Sequence, residues 1–261
     1  MSNESEGRKG AVDFRERHGL GLGPIEDVFS LPELVRVDVV CIDAGDEEHG
    51  LTARDEVTGA TVIVVNSALP SVRFRSTLAH EVGHLVFGED LTRVATHAFT
   101  SDSETRAHAF ARHLLLPLGA VRKAHEDFSD LNDERLLDWC VRRYGVSPRI
   151  GAYQLNNAGI IDDATCDRFT RLSAGQLAWT NGWSSVFRER ENEVRLDRQP
   201  LLLQGLATRA YREGRLPAGD LAALTGVSVR EIEEKIGFVS DRPQTDLEPE
   251  DFGDDDLPDA L

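Results

Sequence analysis

Cysteine is scarce in this chain and its spacing gives no pairs: Cys41, Cys140 and Cys166 are an odd number, far apart, with no Cys-x-x-Cys among them. That excludes a disulfide framework and suits free thiols in a reducing compartment. Long apolar runs are missing as well, so no membrane-spanning helix is expected. Met1 to Arg17 is polar and charged, without the apolar stretch of a secretory leader. Positive charge is in short supply: 29 Lys and Arg stand against 46 Asp and Glu, a net charge of −17. A chain this acidic is a poor partner for nucleic acid unless its fold gathers a basic patch. These absences together predict a soluble, cytoplasmic protein.

What is present is enough apolar material, 40% of residues, for a proper core. A length of 261 residues accommodates one medium domain and a smaller one. Residues 1–22 read as a loose, flexible arm. The segment 24–35 has helical rhythm, with Pro32 placed to kink or split it. Two β-rich runs follow, at 37–42 and 61–65, and 51–57 alternates weakly enough to pair with the second through Thr58 and Gly59. A small antiparallel sheet is therefore expected. From Ser76 onward the pattern turns helical, over 76–88, 103–115, 118–126, 131–143, 147–156, 200–213, 217–225 and 228–236. Residues 165–198 hold Trp179, Trp183 and Phe187 and read as packed, with strands as the suggestion. At the end, Asp241, Asp246, Glu248, Glu250, Asp251, Asp254, Asp255, Asp256 and Asp259 face a single Arg242. Such a run repels itself and has little to bury, so 241–261 reads as a disordered acidic tail.

The richest five residues are His80-Glu81-Val82-Gly83-His84. On a helix, positions i and i+4 lie one turn apart on one face, so both imidazoles can aim at a single metal. Glu81 stands beside them, where its carboxylate can reach a water activated by the metal rather than the metal itself, as a hydrolytic base must. Leu78, Ala79, Val82, Leu85 and Val86 support a helix. Gly83, the weak helix former, is a small residue that relieves crowding beside the metal. The alternative is a surface helix that happens to carry two histidines.

A catalytic zinc takes three protein ligands and keeps one position open. Glu104 is one candidate for the third. Ser101 or Ser103 can cap its helix, placing Glu104 in the first turn, where the helix dipole favours a carboxylate. Ala107, Phe110, Ala111 and Leu114 then form the buried stripe. Asp90 competes, six residues after His84, but the extended motif wants Gly where Phe87 stands. His97, His108 and His113 are further candidates, each with a plain reading as a solvated or core histidine.

The chain resembles the ImmA/IrrE family of zinc metallopeptidases. Four pieces carry the resemblance: Val65-Asn66 after a strand, the run from Arg73 to His84, Glu104 with Ala107 and Phe110-Ala111, and Leu115-Leu116-Pro117. It spans about 24–160. The resemblance implies an α+β, zincin-like metallopeptidase domain over 23–162, with Zn2+ on His80, His84 and Glu104, and Glu81 as general base. It also implies a protein substrate, typically a repressor of the helix-turn-helix type whose cleavage relieves repression. Two departures stand out. Many members have Asn where this chain has His108, and many carry a helix-turn-helix domain before the protease, for which 22 residues are too few. His97, His108 and Tyr153 are the candidates for stabilising an oxyanion.

Residues 163–240 read as a mainly helical module. Within it, 216–237 resembles a helix-turn-helix, two short helices flanking Thr225, Gly226 and Val227 with Ser228 capping the second. A DNA reader wants donors and positive charge on that second helix. Arg230 and Lys235 are there, but so are Glu231, Glu233 and Glu234, so DNA binding is not expected. Two functions of different kinds follow: a zinc endopeptidase, or a non-catalytic regulator of DNA or a partner protein with a structural or vestigial metal site. Glu81 separates them, since a structural zinc site fills its positions with Cys or His and has no use for a glutamate beside its first ligand.

Overall fold

Val62, Ile63, Val64 and Val65 make β3 (Thr61–Asn66) apolar on both faces, which suits a strand with neighbours on both edges. The computed structural model describes residues 2–44, 49–54, 60–89, 101–195 and 200–237. In it β3 is central, between β1 (Asp38–Ile42) and β2 (Gly50–Arg54). The β2–β3 pair is antiparallel, as expected of consecutive strands with a short connection, with Thr52 opposite Ile63. The β1–β3 pair is parallel, Cys41 opposite Val65, so the sheet is mixed where a purely antiparallel one was expected. The reason is topological: β2 and β3 form the antiparallel pair, and β1 joins the far edge of β3, where it runs in the same direction.

The chain divides into two compact units, Met1–Pro200 and Leu201–Leu261. The first unit opens with α1 (Asn3–Arg17) and α2 (Ser30–Leu34), and after the sheet come α3 (Ser71–Val86) and α4 (Ser101–Leu115). Then follow α5 (Leu118–Asp127), α6 (Asp133–Tyr144), α7 (Pro148–Asn157), α8 (Asp163–Phe169), α9 (Ala174–Thr180) and α10 (Ser184–Glu193). No helix among the described residues is long and apolar enough to cross a membrane. Asp90, His97 and the acidic stretch 241–261 lie outside the described residues.

Three expectations change. Residues 3–17 form no loose arm: they fold as α1, which lies along α4. Its buried residues are few, Gly7, Ala11, Phe14 and Arg15, so hydropathy gives no sign of it. It docks by close approach and by charge. A Cβ on Gly7 would stand 2.4 Å from the Arg106 carbonyl oxygen and 2.6 Å from the Ala109 Cβ. Glu4 pairs with Arg112 and, at 3.1 Å, with the buried His113. Those partners, His113 first, hold the Glu4 carboxyl down at about 2. Arg15, buried, donates to the Leu114, Gly21 and Gly23 carbonyls and ties the turn after α1 onto α4.

Second, the described part of 165–198, which ends at Arg195, is mainly helical, and it belongs to the first unit. Trp183 is buried and its indole N–H donates to Asp138 of α6 at 2.8 Å, while Asn181 donates to the same oxygen. Trp183 and Phe187, which suggested strands, pack short helices instead, and Trp179 is exposed. Third, the helical rhythm of 24–35 yields only the one turn of α2, whose first turn holds Pro32, where its missing N–H goes unnoticed. The start of α3 is fixed from outside: Pro70 offers no capping side chain, and Glu191 of α10 accepts from the Ser71 N–H at 2.9 Å and its hydroxyl at 2.6 Å. A carboxylate there also complements the helix dipole.

The second unit comprises α11 (Leu201–Arg212), α12 (Ala218–Thr225) and α13 (Val229–Ile236) around Ala207, Tyr211, Leu221 and Ile232. Gly226 takes a left-handed φ of 68° between the last two, and Ser228 caps α13 by accepting from the Glu231 N–H. The helix-turn-helix outline is present. The two cations of α13 are engaged with its own carboxylates, Arg230 with Glu234 at 2.8 Å and Lys235 with Glu231 at 3.9 Å.

Two outcomes test this account of α1. Gly→Ala within a helix ordinarily gains about 1 kcal/mol, whereas overpacking costs about 1–3 kcal/mol. Against a backbone oxygen the second effect wins, so Gly7→Ala should lower stability in chemical denaturation. For Glu4 the folded carboxyl lies below its ordinary 4.5, so its contribution is complete above 4.5 and is lost as pH falls toward about 2. Acid titrations of stability should show wild type losing its advantage over Glu4→Gln across that window.

Candidate metal centre

The two histidines come from the C-terminal half of α3, one turn apart with His84 in the last turn, their rings crossing at 86° and Nε2 atoms 3.0 Å apart. Glu104, in the first turn of α4, completes a cluster. Its Oε2 lies 3.3 Å from the His80 Nε2 and its Oε1 3.4 Å from the His84 Nε2. These three are the metal-competent group of His, Cys, Asp and Glu side chains found among the described residues. The two imidazoles draw the Glu104 carboxyl below its ordinary value, the hydrogen bond from His80 chief among the causes.

Gly83 decides how close the two helices come. A Cβ there would stand 3.0 Å from Phe110 and 3.3 Å from the Ala107 Cα. Its smallness therefore serves the crossing of α3 and α4, not relief of crowding beside a metal as the sequence suggested. Ala107, one turn after Glu104, is small for the same reason. Residues that looked like family signature thus set the distance between the ligand-bearing helices.

Glu81 is buried, 6% exposed, yet outside the cluster. The hydroxyl of Thr52 donates to its Oε2 at 2.8 Å. Thr52 lies on β2, two residues from Gly50, and a Cβ on Gly50 would meet Thr77 at 2.6 Å and the Glu81 Cγ at 3.7 Å. The bare backbone of Gly50 lets the edge strand lie against α3, and Thr52 then fixes the carboxylate.

His84 is oriented from behind. Its Nδ1 is hydrogen-bonded to Glu89, and Glu89 accepts from Arg106 of α4 at 2.5 Å. A carboxylate only accepts, so the proton is on Nδ1 and the Nε2 lone pair faces the cluster. Glu89 reaches back because α3 ends in a Schellman motif: Gly88, φ 63°, donates to the Leu85 carbonyl, and the Glu89 N–H to the His84 carbonyl.

The other candidates among the described residues stand outside this group of three. His108 stacks on His80, centroids 4.3 Å apart, with its Nε2 3.9 Å from Glu104, but its side chain is 69% exposed. His113 is occupied by Glu4 and Gln154, and Tyr153 lies between the guanidiniums of Arg112 and Arg149. Thr52, Glu89 and Arg106 escaped the sequence. Only Glu89 left a trace, since a Gly just past a helix end turns the following residue back on the last turn.

Two imidazole nitrogens and one carboxylate suit a divalent metal such as zinc. Ligands of a tetrahedral ion bound at 2.0–2.1 Å lie roughly 3.3 Å apart, close to the separations found here, so the residues fit the group. A histidine pair and a downstream glutamate on crossing helices, with a buried glutamate under the edge of a small sheet, define a zincin-like metallopeptidase domain. Residues 36–156 match the family Peptidase_M78, described as the IrrE N-terminal-like domain. This segment of the chain matches the domain of the ImmA/IrrE family of metallopeptidases. No curated protein matches it.

Metal content after purification and zinc supply should be one ion per wild-type chain, with marked loss in Glu104→Ala. Full retention by that variant, read by atomic emission, would remove Glu104 from the ligand set.

Proposed function

We propose that the chain is a zinc-dependent endopeptidase acting on a specific intracellular protein, with a helix-turn-helix transcriptional repressor as the substrate class. The observation that carries the peptidase reading is Glu81, buried beside the three donors but not among them and held by Thr52. A structural metal site has no use for such a carboxylate. The repressor rests on the family resemblance, and with it go a cytoplasmic location and a role in relieving repression.

His80, His84 and Glu104 would hold the ion. When bound, zinc supplies Lewis acidity, lowering the pKa of water and polarising a carbonyl. The rest falls to the chain. Glu81 accepts the proton of the attacking water and returns it to the leaving amine. Thr52 keeps one carboxylate oxygen engaged, so the other is presented in a fixed direction. The edge strand β2 offers main-chain partners to an extended substrate, which would lay the scissile bond across α3 at Glu81.

DNA is not the partner proposed. The second helix of the C-terminal pair spends its cations on its own glutamates and carries net negative charge.

The test pairs zinc-loaded wild type and Glu81→Gln against individually purified helix-turn-helix repressors, with products followed by intact mass. Loss of a general base should slow cleavage about 10²- to 10⁴-fold while zinc content stays at the wild-type level. Equal rates for the two proteins would sink the mechanism.

A further inference from the structure

The carboxylate behind His84 does not end the chain of contacts. Arg106 uses one guanidinium nitrogen for Glu89, at 2.5 Å, and the other for Glu6 of α1, at 3.4 Å. The guanidinium also lies 5.0 Å from the centre of the Phe87 ring, and a Cβ on Gly10 of α1 would meet that ring at 2.8 Å. The N-terminal helix therefore touches both the partner and the platform of the arginine that orients the metal-site carboxylate. His80 has no counterpart: its Nδ1 is buried without a hydrogen-bond partner among the described residues.

We infer that α1 is a positioning element of the metal centre, acting through Glu6, Arg106 and Glu89 on the single imidazole of His84. The inference rests on the metal-centre reading above. A ligand imidazole must keep its proton on the far nitrogen and its ring in the plane of the ion. A carboxylate accepting from Nδ1–H does both, and such partners are worth 10- to 100-fold in metal affinity. Glu89 sits just past the end of α3, where the Schellman turn holds its backbone N–H. Arg106 gives its side chain a second anchor. Arg106 is in turn a long side chain with several rotamers, and it is held by Phe87 on one side and Glu6 on the other. Removing Glu6 leaves Arg106 two of its three restraints, so the effect on the metal should be smaller than that of removing Glu89, and in the same direction.

A second carboxylate on the same helix provides the control. Glu4 also fastens α1 to α4, but through Arg112 and His113, apart from the Glu6–Arg106–Glu89 route to His84. Loss of Glu4 loosens the helix without cutting the route to His84.

The experiment measures zinc affinity of the full chain by competition with a chromophoric chelator, for wild type, Glu89→Ala, Glu89→Gln, Glu6→Gln, Arg106→Gln, the Glu6→Gln/Arg106→Gln double variant and Glu4→Gln. Circular dichroism of each metal-free protein shows whether it is folded. Glu89→Ala should weaken zinc binding about 10- to 100-fold, with partial recovery in Glu89→Gln, which keeps an acceptor oxygen for Nδ1–H. Glu6→Gln should weaken it roughly 2- to 30-fold, with no added loss when placed on Arg106→Gln. Glu4→Gln should bind as wild type. With cobalt as the probe, the visible absorption should change in Glu89→Ala and Glu6→Gln and not in Glu4→Gln. Weakening by Glu89→Ala with Glu6→Gln unchanged would remove α1 from the route and overturn the inference. Equal weakening by Glu6→Gln and Glu4→Gln would reduce it to general loosening and overturn it as well. A wild-type chain that takes up no zinc would overturn both this inference and the metal-centre reading beneath it, whereas tight wild-type binding with every variant unchanged would overturn this inference alone.

Discussion

Two imidazole nitrogens and a carboxylate converge on one point at separations of 3.0–3.4 Å. Three side chains from two helices stay that close only if the fold fixes the helices, and much of the first unit can be understood as doing so. The crossing of α3 and α4 is as close as Gly83 and Ala107 allow, and that crossing sets the distance between the histidines and Glu104. Glu191 secures the start of α3, far from the cluster, by capping its first turn. The outer side of α4 is covered by α1, where Gly7 permits contact with the backbone at Arg106, two residues from the ligand. None of these contacts reaches the metal position, yet each limits how far a donor can drift.

The two sides of the centre have different work. On the sheet side, β2 supplies Thr52 to Glu81, the carboxylate proposed to handle protons, and its edge is where an extended chain would pair. On the helix side, Glu89 and Arg106 attend to His84, a proposed ligand. Under the proposed function, a substitution on the first side would change what happens to a bound peptide. A substitution on the second would change how firmly an ion is held. Sequence adjacency hides this division, since Glu81 and His80 are neighbours but are supported from opposite directions.

What the sequence revealed follows the range over which its signals act. His80 and His84 announce themselves through a helical period, and the buried stripe of Ala107, Phe110, Ala111 and Leu114 makes α4 legible in the same way. Most later helices were placed within one or two residues, because Ser147 and Ser228 cap them and Gly145 and Gly226 end them locally. What stayed hidden depends on partners distant in the chain. The helix at 3–17 has only Ala11 and Phe14 as buried apolar side chains of any consequence, and it is held by carboxylates whose partners lie about a hundred residues on. The parallel pairing of β1 could not be read from alternation, which is the same in either direction. Thr52 was invisible because a threonine in a strand is ordinary until something buried lies opposite it. Trp183 and Phe187 mislead because bulk marks burial and does not choose between helix and strand, while Trp179 is exposed and its bulk marks neither.

The packing of α1 also bears on how the protein is prepared for study. To the eye, residues 2–22 resemble the polar leaders that are routinely removed to improve crystals or yield. A shortened form beginning at residue 23 would bare the face of α4 around Phe110 and strip Arg112 of Glu4 and Arg106 of Glu6. Poor solubility or low metal content in such a form would then be a property of the cut, and should not be attributed to the uncut protein.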